Sequence, residues 1–438
     1  MKKVVLLTFG CAKNLVDSEI MAGCLQEADY VFVADPAKAD IVILNTCGFI
    51  GPAKEEAEEA IKKALFLKKK DGSKKVVVTG CYAERYKTDL LQRYPGVDAW
   101  LGVKDFDKIV RVVEERAFPA SERTYLYSHR TPRALSTPSS WAYLKISEGC
   151  SHQCAFCSIP LIKGAYNSRS VSSIVREARN LASRGVREIN LISQDTTYFG
   201  KDQGRRDGLA RLLEELVKLR DIAWIRILYG IPEEITEALL EIMQETKICP
   251  YLDIPVQHSD PALIRKMKRA MDGRRALRLI EKIRKKLPGI ALRTSIIVGF
   301  PGEGRREFED LRAFVRAASF DHLGVFTYSR EEGTAAYALG DPVPEIVKQR
   351  RKDKILELQA GLSSVKLRAY VGRTLDVLIE GAAKDNPRCL IGRSGFQAPE
   401  VDGLVIVERF RPSKAAPGPI QRIEITASDV YDLHGKSA

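Results

Sequence analysis

The sequence has no apolar run approaching the length of a membrane span, so no membrane partner is expected. Its amino terminus resembles a secretory leader only superficially. The apolar stretch at residues 4–9 is too short for an h-region, and Lys13, Asp17 and Glu19 follow at once. That stretch reads as a first buried strand. Cysteine is not abundant, with nine in 438 residues. The one short cysteine cluster has no second CxxC pair beside it, which weakens a zinc reading. Thiols kept for metal must stay reduced, which places the protein in the cytoplasm. A hydrophobic share of 45% and a charged share of 29% are ordinary for a globular protein of two or three domains. The net charge of +13 suggests an acidic partner such as RNA or a ribonucleoprotein, and is equally compatible with a basic, soluble skin.

The chemistry is concentrated in Cys150-Ser151-His152-Gln153-Cys154-Ala155-Phe156-Cys157, which presents three thiols spaced C-x3-C-x2-C after the apolar run at residues 141–146. Three thiolates on one loop can hold three irons of a cubane cluster. A ferredoxin-type run would supply a fourth, but Ser158, Ile159 and Pro160 follow instead. The fourth iron would stay open to a substrate. A zinc site or three structural thiols are the alternatives, and His152 is not at a paired ligand spacing.

Residues 1 to about 130 alternate strand and helix: strands at 3–9, 40–45 and 75–79, helices at 14–27 and 53–67. Such alternation predicts a parallel sheet covered by helices. Each strand ends in the same way, in Phe9-Gly10-Cys11, Asn45-Thr46-Cys47 and Thr79-Gly80-Cys81. Ligands of open parallel sheets lie beyond the strands' carboxyl ends. Cys11, Cys47 and Cys81 would then converge into a second three-thiol site, unless they are merely buried core cysteines. Cys24, Cys249 and Cys389 lack such a context and read as structural.

A Ser-, Thr- and Pro-bearing linker at 123–140 precedes a second alternating region. Strands at 188–193, 224–229, 251–256, 291–298 and 322–328, with the one before the cysteine loop, make six βα units, a partial (βα)6 parallel barrel. Polar residues fall at the strands' carboxyl ends: Gln194 and Asp195, Gln257 and His258, Gly299 and Gly302. By position these could contact a cofactor or substrate, or simply cap and turn the chain. After a charged helix at 344–370, short strands at 373–380, 388–391, 404–407 and 420–426 predict a small antiparallel β-barrel of OB type. Its basic residues Arg409, Arg411, Lys414 and Arg422 suggest RNA contact or a solvated face. The expected domains are 1–130, 136–368 and 369–438, an α/β architecture with a β-barrel at its end.

The C-x3-C-x2-C loop, with an aromatic before its last cysteine, resembles that of the radical S-adenosylmethionine enzymes. The front motifs Gly10-Cys11-Ala12-Lys13-Asn14, Asn45-Thr46-Cys47-Gly48-Phe49-Ile50 and Thr79-Gly80-Cys81-Tyr82 resemble those of the methylthiotransferase family across the chain. The terminal barrel resembles that family's TRAM domain. The resemblance implies two 4Fe-4S clusters, a radical one on Cys150, Cys154 and Cys157 and an auxiliary one on Cys11, Cys47 and Cys81. It implies S-adenosyl-L-methionine as cofactor, with Phe156 against its adenine; Gln194, Gln257 and Gly299 are expected as further contacts from their strand-end positions alone. No separate glycine-rich signature follows the second barrel strand.

Three stretches are similar to the branch of the family that modifies an aspartate on small-subunit ribosomal protein twelve: residues 225–232, residues 252–258, and the tail pairing 396–403 with 431–435. That branch implies a methylthio group placed on the aspartate β-carbon, two S-adenosylmethionine molecules consumed, and ribosomal protein twelve or the small ribosomal subunit as partner, with an electron-donor protein. The tRNA adenosine 2-methylthiotransferase branch is the alternative. A non-catalytic iron–sulfur or RNA-binding module is a third reading.

Overall fold

The computed structural model describes residues 1–115, 125–408 and 420–437. The chain divides into two compact units: residues 1–136, 145–173 and 329–338 form the first, and 137–144, 174–328 and 339–438 the second.

The first unit is built on β1 (Lys3–Thr8), β2 (Val31–Phe32), β3 (Ile41–Thr46), β4 (Lys75–Gly80) and β5 (Ala99–Leu101). All pairings are parallel, in the order β2-β1-β3-β4-β5. The continuous apolar runs of β3 and β4 suit strands covered on both faces, and both are buried. Helices α1 (Ala12–Glu27), α2 (Gly51–Lys70), α3 (Cys81–Arg93) and α4 (Ile109–Glu115) cover the sheet. The short strands β2 and β5 were not expected from the sequence: two or three residues carry too little periodicity to register. Part of the expected linker is pinned to this unit. Glu19 of α1, buried, accepts from the Arg133 guanidinium at 2.7 and 2.9 Å and from Ser136 N and Oγ at 2.8 and 2.9 Å.

The same unit holds the cysteine loop. It lies between two strands of a small antiparallel hairpin, β7 (Ser147–Glu148) and β8 (Asn167–Ser168), and is followed by the short helix α5 (Ile159–Lys163).

The second unit contains the partial barrel, an open six-stranded sheet ordered β13-β12-β11-β10-β9-β6. Its strands are β6 (Trp141–Lys145), β9 (Glu188–Ile192), β10 (Trp224–Ile227), β11 (Ile248–Asp253), β12 (Ala291–Val298) and β13 (His322–Thr327). The fourth strand begins and ends about three residues earlier than the sequence suggested. Pro255 has no N–H to continue the ladder, and pairing resumes only at Gln257 with Ile296.

The terminal domain is a closed barrel of β14 (Thr374–Ala382), β15 (Leu390–Ser394), β16 (Val405–Glu408), β18 (Leu433–Ser437) and β17 (Ile420–Ser428), in that order. Four pairings are antiparallel, as expected; the β16–β18 pairing is parallel, and β18 comes from tail residues not assigned to a strand from sequence. Of the basic residues anticipated here, Arg409, Arg411 and Lys414 lie outside the described residues, while Arg422 is exposed on β17.

The segment 393–402 of this terminal domain, the end of β15 and the loop after it, reaches every strand of the open barrel. Tyr143 of β6 donates to Glu400 at 2.8 Å. Arg393 donates to Glu188 of β9 at 2.5 Å, and Arg226 of β10 to Gly395 O at 2.7 Å. Tyr251 of β11 and Arg293 of β12 donate to Asp402 at 2.8 and 2.7 Å, and His322 of β13 lies 2.9 Å from Phe396 O. The loop thereby ties the two edge strands, β6 and β13, that no ladder joins.

Candidate functional site

Strands β1, β3 and β4 run in register, with Thr8 opposite Asn45 and Asn45 opposite Thr79, so they end at one level. The sheet order reverses between β1 and β3, the switch point at which open α/β sheets hold ligands. Cys11 precedes α1 there, Cys47 follows β3, and Cys81 opens α3. Gly10 makes the approach possible. Its φ is +94°, and a Cβ at this residue would lie 2.7 Å from Cys47 Cβ and 3.0 Å from Cys47 Sγ.

Asn14 ties the three strand ends together. Its Nδ2 donates to Phe9 O and Thr46 O at 3.1 and 3.2 Å, its Oδ1 accepts from Cys81 Sγ at 3.6 Å, and its carbonyl accepts from Asn45 Nδ2 at 2.8 Å. In the sequence Asn14 is only one residue of a motif; its buried bridging role depends on a tertiary fold that spacing does not reveal. Burial, then the neighbouring Cys11, pushes the Cys47 thiol up to about 11. Burial pushes the Cys81 thiol up as well, with Lys163 pulling against it.

The second triad is local. Cys150 N donates to Gly164 O at 3.0 Å, closing the loop, and Cys157 N donates to Cys154 O at 3.1 Å in a tight turn. Cys150 is buried; Cys154, Phe156 and Cys157 are half-buried. Ala155 O accepts from Ala336 N at 2.7 Å. Helix α5 carries the chain back against α3, where Ile162 shares a small apolar cluster with Cys81 and Val103. Burial raises the Glu148 carboxyl, but Lys145 and Lys163 together hold it below the usual carboxylate range.

All six candidate cysteines thus belong to the first unit, and none of the nine in the chain is in a disulfide. Each set supplies three soft thiol donors, which fits a cubane with one free corner. No group of three or more His, Cys, Asp or Glu side chains among the described residues is gathered tightly enough for a single metal ion. A cubane makes no such demand, because each thiolate takes a different iron.

The remaining candidates fall in different units: Phe156 in the first, and Gln194, Gln257 and Gly299 in the second. Gln194 is half-buried just beyond β9. Asp195 beside it caps the turn of residues 196–198, accepting from Thr197 N at 2.9 Å and Tyr198 N at 3.2 Å. Gln257 has φ +72°, a left-handed conformation that costs a non-glycine residue about 1–3 kcal/mol and clusters at functional positions. His258 is buried and accepts from Asp260 N at 3.0 Å, and burial lowers it to about 4, so it is a neutral core histidine. Gly299 is also left-handed, and the space a Cβ would need is taken by the Lys348 side chain. Tyr229, two residues beyond β10, has φ +60°. Three successive strands are therefore followed by left-handed residues; nothing in residue type marks such a backbone at Tyr229.

Three family descriptions match the chain: Uncharacterized protein family UPF0004 over residues 3–102, Radical SAM superfamily over 144–315, and TRAM domain over 371–437. The chain is 43% identical to the ribosomal protein uS12 methylthiotransferase RimO of Solibacter usitatus, over 99% of this chain and 94% of that one. It is 45% identical to the RimO of an Anaeromyxobacter species, over 99% and 92%, and 43% identical to that of Aquifex aeolicus, over 99% and 97%. Among solved structures, the radical S-adenosylmethionine methyltransferase TsrM of Kitasatospora setae, with cobalamin and a [4Fe-4S] cluster bound, superposes with a TM-score of 0.55 at 15% identity, over 76% of this chain and 77% of that one. At that identity the likeness concerns the fold alone.

Proposed function

The chain belongs to the ribosomal protein uS12 methylthiotransferase family, and from that premise we propose that it places a methylthio group on the β-carbon of an aspartate in small-subunit ribosomal protein twelve. It does so as a radical S-adenosylmethionine enzyme with two 4Fe-4S clusters. The observation that carries the reading is the presence of both cysteine triads in one compact unit. Cys150, Cys154 and Cys157 are proposed to hold the radical cluster, and Cys11, Cys47 and Cys81 the auxiliary one.

When bound, the clusters and S-adenosylmethionine supply a 5′-deoxyadenosyl radical and a methylated sulfur, the reagents that an unactivated C–H bond requires. The chain's own residues hold and shelter them. The buried Cys81 and Cys150 set one thiol of each triad away from water. Asn14 holds three strand ends at fixed separation. Phe156, Gln194, Gln257 and Gly299 are proposed contacts for S-adenosylmethionine, with the left-handed backbone at Gln257 supporting a functional position.

Radical formation consumes an electron, so an electron-donor protein is a required partner. The terminal barrel, with Arg422 on its exposed surface, is proposed to touch RNA of the small subunit. Among the described residues no helix is long and apolar enough to cross a membrane, and we place the reaction in the cytoplasm, where thiols stay reduced.

Mass spectrometry of ribosomal protein twelve and of tRNA from a deletion strain tests the assignment. The methylthio mass should vanish from the protein and remain on tRNA. Its loss from tRNA alone would move the chain to the adenosine branch.

A further inference from the structure

We infer that Asp17, Lys145, Glu148 and Lys163 form a closed ionic ring that fixes the two cysteine triads relative to one another. The inference rests on the two-cluster reading above. Lys145 Nζ donates to Asp17 Oδ1 and, at 2.6 Å, to Glu148 Oε2. Lys163 Nζ donates to Asp17 Oδ2 at 3.1 Å and stands 3.3 Å from Glu148 Oε1. Each carboxylate therefore bridges both ammonium groups, one oxygen to each, and the ring closes with no net charge. All four side chains are almost fully buried.

Three of the four residues come from elements that adjoin the thiols, and Lys145 ends β6, five residues before Cys150. Asp17 lies on α1, the helix that begins beside Cys11. Glu148 ends β7, immediately before the radical loop, and Lys163 ends α5, immediately after it. Helix α5 packs on α3, whose first residue is Cys81. The ring is braced from outside. Lys145 O accepts from Arg169 Nη1 at 2.7 Å and from Tyr127 Oη at 3.2 Å, and the Arg169 guanidinium lies 4.0 Å from the Tyr127 ring centre.

Stability alone does not explain such a ring. Desolvating four charges is costly, and well-packed apolar groups of similar volume commonly do as well or better. The ring does supply one geometry. Apolar surfaces tolerate a slide of a fraction of an ångström, whereas four bridged contacts in a dry interior do not. Two centres that must act on a single substrate carbon need that restriction, since small misplacements of reacting groups are costly in rate.

The test replaces the ring by apolar groups of similar size, in the chain Asp17→Leu, Lys145→Met, Glu148→Leu and Lys163→Met, reconstituted with iron and sulfide. The expected variant keeps the wild-type iron content and S-adenosylmethionine cleavage within about twofold, while methylthiolation falls by about a hundredfold. The magnetic coupling between the two reduced clusters, read by electron paramagnetic resonance, should weaken or broaden. Unchanged coupling together with unchanged methylthiolation would overturn the inference.

Should this variant not fold, hydrogen exchange on the wild-type apoprotein decides. Peptides covering 12–19, 145–150 and 159–164 are expected to exchange as one cooperative group, and independent opening of the first would refute the ring as a clamp. Wild-type iron amounting to a single cluster would sink the two-cluster reading instead, and would leave the exchange result standing on its own.

Discussion

The two cysteine triads reach the same donor set by opposite routes. Cys150, Cys154 and Cys157 sit on one loop, closed by the bond from Cys150 N to Gly164 O and tightened by the turn between Cys154 and Cys157. Their geometry is largely a property of a short stretch of backbone. Cys11, Cys47 and Cys81 are distant in the chain and meet only because β1, β3 and β4 align in parallel and a buried asparagine ties their ends. A local site needs little loop closure; an assembled one exists only once a sheet with long crossovers has formed. The front triad is therefore the more fragile of the two.

Removing one thiol from each triad gives the largest effects and the clearest separation. Cys154→Ala should abolish both 5′-deoxyadenosine formation and methylthiolation. Cys47→Ala should lose about half of the bound iron and all methylthiolation while still cleaving S-adenosylmethionine. Iron analysis and chromatography of 5′-deoxyadenosine read the two outcomes. Loss of cleavage in both variants would mean that the triads do not act separately.

A gentler change attacks only the assembled site. Gly10→Ala asks for a methyl 2.7 Å from Cys47 Cβ at a residue whose φ is +94°. The backbone strain alone costs about 1–3 kcal/mol, and the two strand ends must part to admit the methyl. Iron should fall toward the Cys47→Ala level with radical cleavage retained. Full iron loading in Gly10→Ala would show the front triad to be more tolerant than its tight packing implies.

The difference between the triads also governs what could be read in the sequence. The loop triad is legible because Cys150, Cys154 and Cys157 share one window. The front triad is legible only through repetition, three strands each ending in a cysteine. Single contacts built by tertiary folding left no such trace. Nothing in residue type marks Asn14 as a bridge, Asp17 as half of a ring with Lys145 and Lys163, or Tyr229 as left-handed. The barrel strands were found by their apolar runs, with the fourth misplaced because Pro255 stands inside an otherwise strand-like stretch. In the sequence residues 396–403 show only a similarity of the tail; their role in spanning the floor of the open barrel arises from tertiary contacts.

That floor offers a comparison in the second unit. The Asp402 carboxylate is fully buried and accepts from Tyr251, Arg293 and Ala398 N. Asp402→Ala leaves the Arg293 cation without its closest partner, and breaking such a pair costs about 3–5 kcal/mol. Calorimetry should show the transition of the barrel lowered while iron content at room temperature stays at the wild-type value. Iron loss in this variant would tie the cluster sites to the floor and weaken the contrast drawn between them.

The smallest expected effect is a change in pH dependence at the carboxyl end of β12. Burial pushes the Glu303 carboxyl from 4.5 up to about 7, although Arg351 and the amides of Gly299 and Phe300 pull it down. The folded chain thus holds its proton over a range in which the unfolded chain has released it. Below about pH 4.5 the group is neutral in both states and carries no penalty. As pH rises from there toward 7, the unfolded state ionises first and stability falls, by about 3 kcal/mol once both states are charged. Glu303→Gln keeps an acceptor for Gly299 N and cannot ionise. Urea unfolding between pH 5 and 8 should accordingly show this part of the slope flattened in Glu303→Gln, with iron content unaltered because none of the six candidate cysteines belongs to this unit. Parallel pH profiles for the two proteins would place the origin of the slope elsewhere, and a loss of iron would show that the second unit's strand ends influence the cysteine sites after all.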